Sequence, residues 1–294
     1  MELQQLRYVV AIAEERNFTR AAERCFVGQS ALSHQIKALE KELGVALFAR
    51  TSRRVELTPA GHAFLRGAQT SLEAADRAVA EAAAATGIIS GTLTVGVIPT
   101  VTAIDVPAEL GTFHRIHPRV RISMRGGGSD EFIAAIETGT MDIALLGLPN
   151  TTPPRGVAYR LLAREQLAAV VSTSHPLASR RRLSLTDMVE ETFVDFPEGS
   201  PGRAPSDLAF SAAGVRREVT FESVSTDLIL ELVRQNLAIT ILSPLVVPPS
   251  SGLAAVPITD GPTRSEYLAW SSFNPSPAAQ AFLTGLSENE VLPR

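Results

Sequence analysis

Between Asn17 and Leu47 the chain reads NFTRAAERCFVGQSALSHQIKALEKELGVAL, and the basic run RTSRRVEL follows from Arg50. Leu32, Ile36, Leu39 and Leu43 are spaced four, three and four apart, which places them on one stripe of a helix. That helix stops at Gly44. A shorter helix precedes it, with Thr19 as the expected N-cap and the small pair Ala21–Ala22 for close approach to a neighbour. Val27–Gly28 forms the tight turn between the two. Upstream, Leu3, Leu6, Val10 and Ala13 recur at helical spacing and predict a first helix with one buried face. Helix, tight turn, helix and charged hairpin, in that order, leave few folds open to the first 58 residues. The expectation is an all-α head of the winged helix-turn-helix kind.

With the leucine stripe turned inward, the start of the third helix presents Gln29, Ser30, Ser33, His34 and Lys37 outward. Glutamine, serine and histidine match the hydrogen-bonding edges of bases, and lysine matches a phosphate. Arg50, Arg53 and Arg54 bracket the turn of the hairpin, where arginines meet phosphates or a narrow minor groove, while Val55 and Leu57 return to the core. Phe18 and Phe48 anchor the two ends of the motif. Any one of these polar residues could merely cap or solvate a helix. Their combination on one motif points to double-stranded DNA as the partner, with Thr19 included in the contact set.

The charge distribution is compatible with this. Ten basic against seven acidic residues up to Arg66 give +3, whereas the whole chain carries −4, so the remainder carries −7. A basic head on an acidic body fits nucleic-acid contact by the head alone. The single cysteine, Cys25, excludes an internal disulfide, a cysteine-based zinc cluster and a switch that needs two thiols in one chain, and it is expected to pack as a small hydrophobe. The start MELQQLRYVVAIAEERNF has no basic leader or cleavage site, and no uncharged apolar run reaches the roughly 18–20 residues that span a bilayer. The expectation is a soluble, cytoplasmic protein with no membrane partner.

Thr58–Pro59 is a cap-and-first-turn signal. The alanine-rich segment after it predicts one helix to about Thr86, broken by Gly87 and Ser90–Gly91. Ala68, Leu72, Ala75, Val79 and Ala82 form a narrow 4-3-4-3 stripe of the kind that seams two helices together, so a homodimer through residues 59–87 is expected.

From Thr92 short apolar strands alternate with helices. TLTVGVI, RVRISMR and MDIALLG read as strands, with helices from about Pro99 to His114 and from Ser129. LAAVVST, ETFVDF, REVTFES and LAITILS continue the series. This alternation predicts a mostly parallel α/β sheet system. Polar residues fall at the strand-to-helix junctions, where helix N-termini offer free N–H groups: Thr100, Ser129, Ser200, Ser225 and Thr226. Hydroxyls beside helix ends favour a carboxylate ligand. No GxSxG elbow, GxxxxGK loop or HExxH pair is present, and His34, His62, His114, His117 and His175 lack metal-ligand spacing, so neither catalysis, a cofactor nor a metal is expected. Asp142 at a strand start is expected to fix a turn.

The first 60 residues closely resemble the LysR-type family of bacterial transcriptional regulators, and the remainder does so loosely. The matching residues are Phe18, Thr19, Ala21, Ala22, Gln29, Ser30, Ser33, Ile36, Leu39, Glu40, Leu43, Gly44, Leu47, Phe48, Arg50, Leu57, Thr58 and Gly61. Cys25 stands where the family commonly has leucine, and Gly28 and Ser30 replace a frequent serine and proline. The resemblance implies a winged helix-turn-helix, a pairing linker helix, and a two-lobed α/β effector domain similar to type 2 periplasmic binding proteins. It places the domains at 1–58, 59–87 and 91–294, with lobe I at 91–162 plus 268–294 and lobe II at 163–267. It further implies tetramers built as dimers of dimers. The effector cleft would be lined by Thr100, Val101, Gly128, Ser129, Phe196, Ser200, Ser225 and Thr226. The alternative reading is a cytoplasmic solute-binding protein whose head docks a partner protein.

Overall fold

A computed structural model describes residues 1–50 and 55–289. The chain divides into two compact units, Met1–Gly91 and Thr92–Arg294.

The first unit opens with α1 (Leu3–Glu15), α2 (Phe18–Arg24) and α3 (Gln29–Leu43). A short antiparallel hairpin follows, β1 (Phe48–Arg50) with β2 (Val55–Leu57), Phe48 lying opposite Leu57. The long α4 (Pro59–Ala84) completes the unit. Leu32, Ile36 and Leu39 are fully buried, as their spacing predicts, while Leu43 is exposed at the helix end. They meet Val9, Ile12, Ala21 and Leu47 in one core, and Cys25, Phe64 and Leu65 pack against it. The Phe18 and Phe48 rings meet edge to face at 5.9 Å between centroids.

Two local expectations are corrected. The buried face of α1 consists of Gln5, Leu6, Tyr8, Val9, Ala11 and Ile12, whereas Leu3 is exposed. This helix touches α2, α3 and α4, so its buried arc is wider than a single stripe and is rotated from the predicted one. The cap of α2 is Asn17, not Thr19: its Oδ1 accepts the N–H groups of Thr19 at 2.8 Å and Arg20 at 3.1 Å. For α4 the cap is as read. Thr58 Oγ1 accepts from Gly61 N–H at 2.9 Å and donates to the Ala46 carbonyl at 2.7 Å, which fixes the hairpin to the helix.

In the second unit, β3 (Gly91–Val97), α5 (Val106–Ile116), β4 (Val120–Gly126), α6 (Ser129–Glu137) and β5 (Ile143–Pro149) follow the predicted alternation. Next come β6 (Ala158–Gln166), β7 (Ala168–Ser172), β8 (Thr192–Asp195), α7 (Ala204–Ala212), β9 (Glu218–Glu222), α8 (Thr226–Arg234) and β10 (Thr240–Leu242). The chain closes with β11 (Leu253–Pro257), β12 (Thr263–Trp270) and α9 (Pro277–Asn289).

The predominantly parallel arrangement is not found. A five-stranded sheet runs β4-β3-β5-β12-β6, and although β3 and β5 are parallel, β12 is antiparallel to both its neighbours. The second set has β7 antiparallel to β10 and β11; β8 is parallel to β9 and is joined to Ile239 by backbone bonds at 2.8 and 2.9 Å. The reason is that β6 and β12 carry the chain straight between the two sets with no intervening helix. They run side by side to the crossing, where Leu167 N–H donates to the Pro262 carbonyl at 2.9 Å. The lobe breaks placed at 162 and 268 therefore fall inside β6 and β12.

The helix expected from Pro99 starts only at Val106, because Asp105 caps it through Ala108 N–H at 3.0 Å. Residues 99–104 instead form a loop. Asp142 acts as a strand clamp, accepting from Thr94 N–H at 2.8 Å and from Ser276 Oγ at 2.7 Å.

Candidate nucleic-acid interface and effector cavity

Helix α3 is built so that one side cannot be seen by solvent and the other faces it. Opposite the buried stripe, Gln29, Ser30, His34 and Lys37 are exposed and Ser33 is half-buried. Thr19, in the first turn of α2, is exposed as well. The N-cap of α3 is Gly28, which has no side chain to cover the first-turn N–H groups, so they stay available to an anion such as phosphate. The Arg20 and Arg24 guanidiniums of α2 are engaged by Glu15 and Glu14. Arg50 is placed in β1 through its backbone; its side chain, and Arg53 and Arg54, lie outside the described residues.

Glu40, one of the residues that carry the family resemblance, is a positioning residue whose role the spacing did not show. From the flank of α3 its Oε1 accepts the N–H groups of Leu47 at 2.8 Å and Phe48 at 3.1 Å, which sets the hairpin against the reading helix. Its signal in the sequence was its place among the residues that match the family.

The second unit holds a cavity of about 480 Å³ with a mainly apolar wall. Thr100, Gly128, Ser129, Phe196 and Ser200 line it; Val101, Ser225 and Thr226 do not. Val101 packs into the core beside Ile98 and Phe132. Ser225 caps α8 through Leu228 N–H at 3.3 Å, and Thr226 Oγ1 donates to the Pro99 carbonyl at 3.4 Å.

The hydroxyls on the wall are not equivalent. Ser129 Oγ is closed onto Gly147, accepting from its N–H at 3.0 Å and donating to its carbonyl at 3.1 Å. Thr100 Oγ1 accepts from Arg264. Ser200 Oγ is buried without a hydrogen-bond partner among the described residues, an arrangement that invites a ligand.

Arg264, also on the wall, was not anticipated. Its Nε donates to Glu165 Oε1 at 2.8 Å, and its Nη2 donates to the Thr100 carbonyl at 2.9 Å and to Glu266 Oε1 at 2.8 Å. Ser243 Oγ donates to the other Glu165 oxygen at 2.5 Å. Glu266 accepts from Thr102 Oγ1 at 2.7 Å and from the N–H groups of Thr102 and Ala103 at 3.1 Å, so it holds the loop that replaced the predicted helix. One buried guanidinium thus faces two carboxylates, and its charge is already spent. The side-chain support expected for a carboxylate ligand is therefore reduced to Ser200. Backbone support persists at α6, whose N-cap Gly128 offers no covering side chain, although Asp130 and Glu131 share that first turn.

Comparison with known proteins accords with both regions. Residues 3–62 match the bacterial regulatory helix-turn-helix protein, lysR family, and residues 87–290 match the LysR substrate binding domain. The chain is 32% identical over 249 residues to a hydrogen peroxide-inducible genes activator of Pectobacterium carotovorum subsp. carotovorum, covering 84% of this chain and 82% of that one. It is 34% identical over 242 residues to the transcriptional dual regulator GltC of Bacillus subtilis, with 82% and 80% covered. Full-length CbnR complexed with its target DNA has a similar fold, with a TM-score of 0.73, 27% identity, and coverage of 98% of this chain and 99% of that one. The chain belongs to the LysR family. It is a transcriptional regulator, not an enzyme, with a DNA-binding helix-turn-helix domain and an effector-binding domain. Among the described residues, no helix is long and apolar enough to cross a membrane.

Proposed function

We propose that α3 reads operator bases through Gln29, Ser30, Ser33 and His34, while Thr19, Lys37, Arg50, Arg53 and Arg54 grip the flanking phosphates. The supporting observation is the outward polar face of α3 set against a fully buried Leu32–Ile36–Leu39 stripe. Such a division supplies salt-dependent affinity from phosphate contacts and discrimination from base edges. Two copies pair through α4, and pairs assemble into tetramers, placing heads over an interrupted palindrome. On the predicted seam Val79 is 72% exposed in the single chain and Ala82 is exposed as well, which leaves the C-terminal part of that stripe open to a second helix, whereas Ala68 is already buried within the chain. The protein works in the cytoplasm.

The effector is a small molecule with an apolar body and one acceptor end, a carboxylate in the sequence reading. Ser200 Oγ and the first-turn N–H groups of α6 receive that end. Binding better to one arrangement of the cavity walls than to another is what makes a ligand a switch.

Footprinting of the full-length protein on the DNA upstream of its own gene tests the first part, with a protected interrupted palindrome expected. The effector part is tested by thermal shift with benzoate, a short-chain aliphatic carboxylate and their amides. Carboxylates are expected to raise the midpoint of the wild type and to lose that effect in Ser200→Ala.

A further inference from the structure

Helix α2 ends in a two-bond turn in which Phe26 N–H donates to the Glu23 carbonyl and Val27 N–H to the Ala22 carbonyl, both at 3.0 Å. The residue at the centre of this motif must take a left-handed backbone, which favours glycine and, after it, asparagine. Among the described residues the same pair of bonds closes four other helical ends, centred on Gly87, Gly139, Gly214 and Asn236. Those four obey the preference. Phe26 does not: it holds φ at +55° with a β carbon. Its ring gains nothing from the fold in return, because the residue is 95% exposed, while the next one, Val27, packs on the head core.

A strained backbone carrying an aromatic ring into water is costly on both counts, and such outliers collect at binding surfaces. The position is three residues ahead of Gln29, at the end of α3 whose exposed face is polar. An apolar group beside donors and acceptors for base edges has one natural complement in the major groove, the 5-methyl group of thymine.

We propose that Phe26 is a specificity-determining residue that packs its ring against a thymine methyl in the operator. This rests on α3 being the base-reading helix. The residue types on α3 read donor and acceptor patterns; the ring adds a reading of the one apolar group that the groove displays.

The test uses the full-length protein and the tightest duplex selected from a random-sequence pool. Each thymine is replaced in turn by deoxyuridine, which removes only the methyl. One replacement is expected to weaken wild-type binding by about fourfold, the worth of one buried methyl. Phe26→Gly is expected to fold with an unchanged or higher thermal midpoint, to bind the thymine duplex about tenfold more weakly, and to be indifferent to that same deoxyuridine. Equal affinity of Phe26→Gly and wild type would overturn the proposal, as would a loss that is the same on thymine and deoxyuridine duplexes at every position. The Ser33→Ala/His34→Ala variant run beside it separates the premises: full discrimination in that variant would reject α3 as the reading helix, whatever Phe26 does.

Discussion

Arg264 Nη2 donates to Glu266 Oε1 at 2.8 Å from two positions earlier on the same strand, with both side chains buried. The pairing is made across one face of β12, since residues two apart on a strand share a face. Glu165 completes it from the directly opposite position on β6. Removing the guanidinium would leave two buried carboxylates without their shared partner. Arg264→Met is expected to lower stability by about 3–5 kcal/mol in chemical denaturation. The triple variant Glu165→Gln/Arg264→Met/Glu266→Gln should recover part of that loss, and an equal or larger loss would show that the charges are not what matters.

Gly61 is glycine because of the Leu47 carbonyl. A β carbon there would lie 2.0 Å from that backbone oxygen, which cannot move without the hairpin. Gly61→Ala is expected to cost about 2–3 kcal/mol and to weaken DNA binding through a displaced wing. Gly67, on the same helix, has open space at its β position. Gly67→Ala is expected to stabilise by up to about 1 kcal/mol. Denaturation of the two variants side by side distinguishes a packing constraint from helix propensity.

Burial pushes the Cys25 thiol above its ordinary value, against a weaker downward pull from Arg24. The thiolate is the reactive form, so a raised value lowers reactivity at neutral pH. Although a relative is named as a peroxide-inducible genes activator, this sequence has one cysteine and no second thiol to close a disulfide with it. Alkylation by iodoacetamide at pH 7 is expected to be slower than for a free thiol and to speed up as pH rises. Peroxide should leave DNA binding unchanged in wild type and Cys25→Ala alike.

Phosphate contacts differ from base contacts in their salt signature. Lys37→Ala is expected to weaken binding to all duplexes similarly and to reduce the slope of affinity against salt by about one. Arg53→Ala should behave in the same way. A loss confined to one operator base would reassign either residue to base reading.

Much of this architecture could be read from spacing. The Leu32–Ile36–Leu39 stripe and the Thr58–Pro59 cap carry strong local signals, so α3 and α4 appear where expected. Asn17 and Thr19 are both competent caps, and only backbone geometry decides between them. The strand β6 escaped because AYRLLAREQ has no fully buried residue and turns Tyr159 and Leu161 outward, so it lacks an inward apolar alternation. The strand β12 escaped because TRSEYLAW buries charge: Arg264 and Glu266 occupy inward positions that apolar residues usually fill. For the same reason the polar network behind the cavity was invisible. It joins residues 165, 243, 264 and 266 with a loop near residue 100, and no local pattern links them. The junction residues were legible as a set, but which of them face the cavity depends on side-chain partners. Ser225 turned back to cap its helix, whereas the Ser200 hydroxyl has no partner among the described residues.

The central claim is that the exposed face of α3 confers sequence discrimination. The direct test measures affinity of wild type and Ser33→Ala/His34→Ala for the selected operator and for a scrambled duplex of equal length, at several salt concentrations. The account predicts that the variant keeps its fold and salt slope while its preference for the operator collapses toward one. A variant that folds normally and retains the full wild-type preference would contradict it.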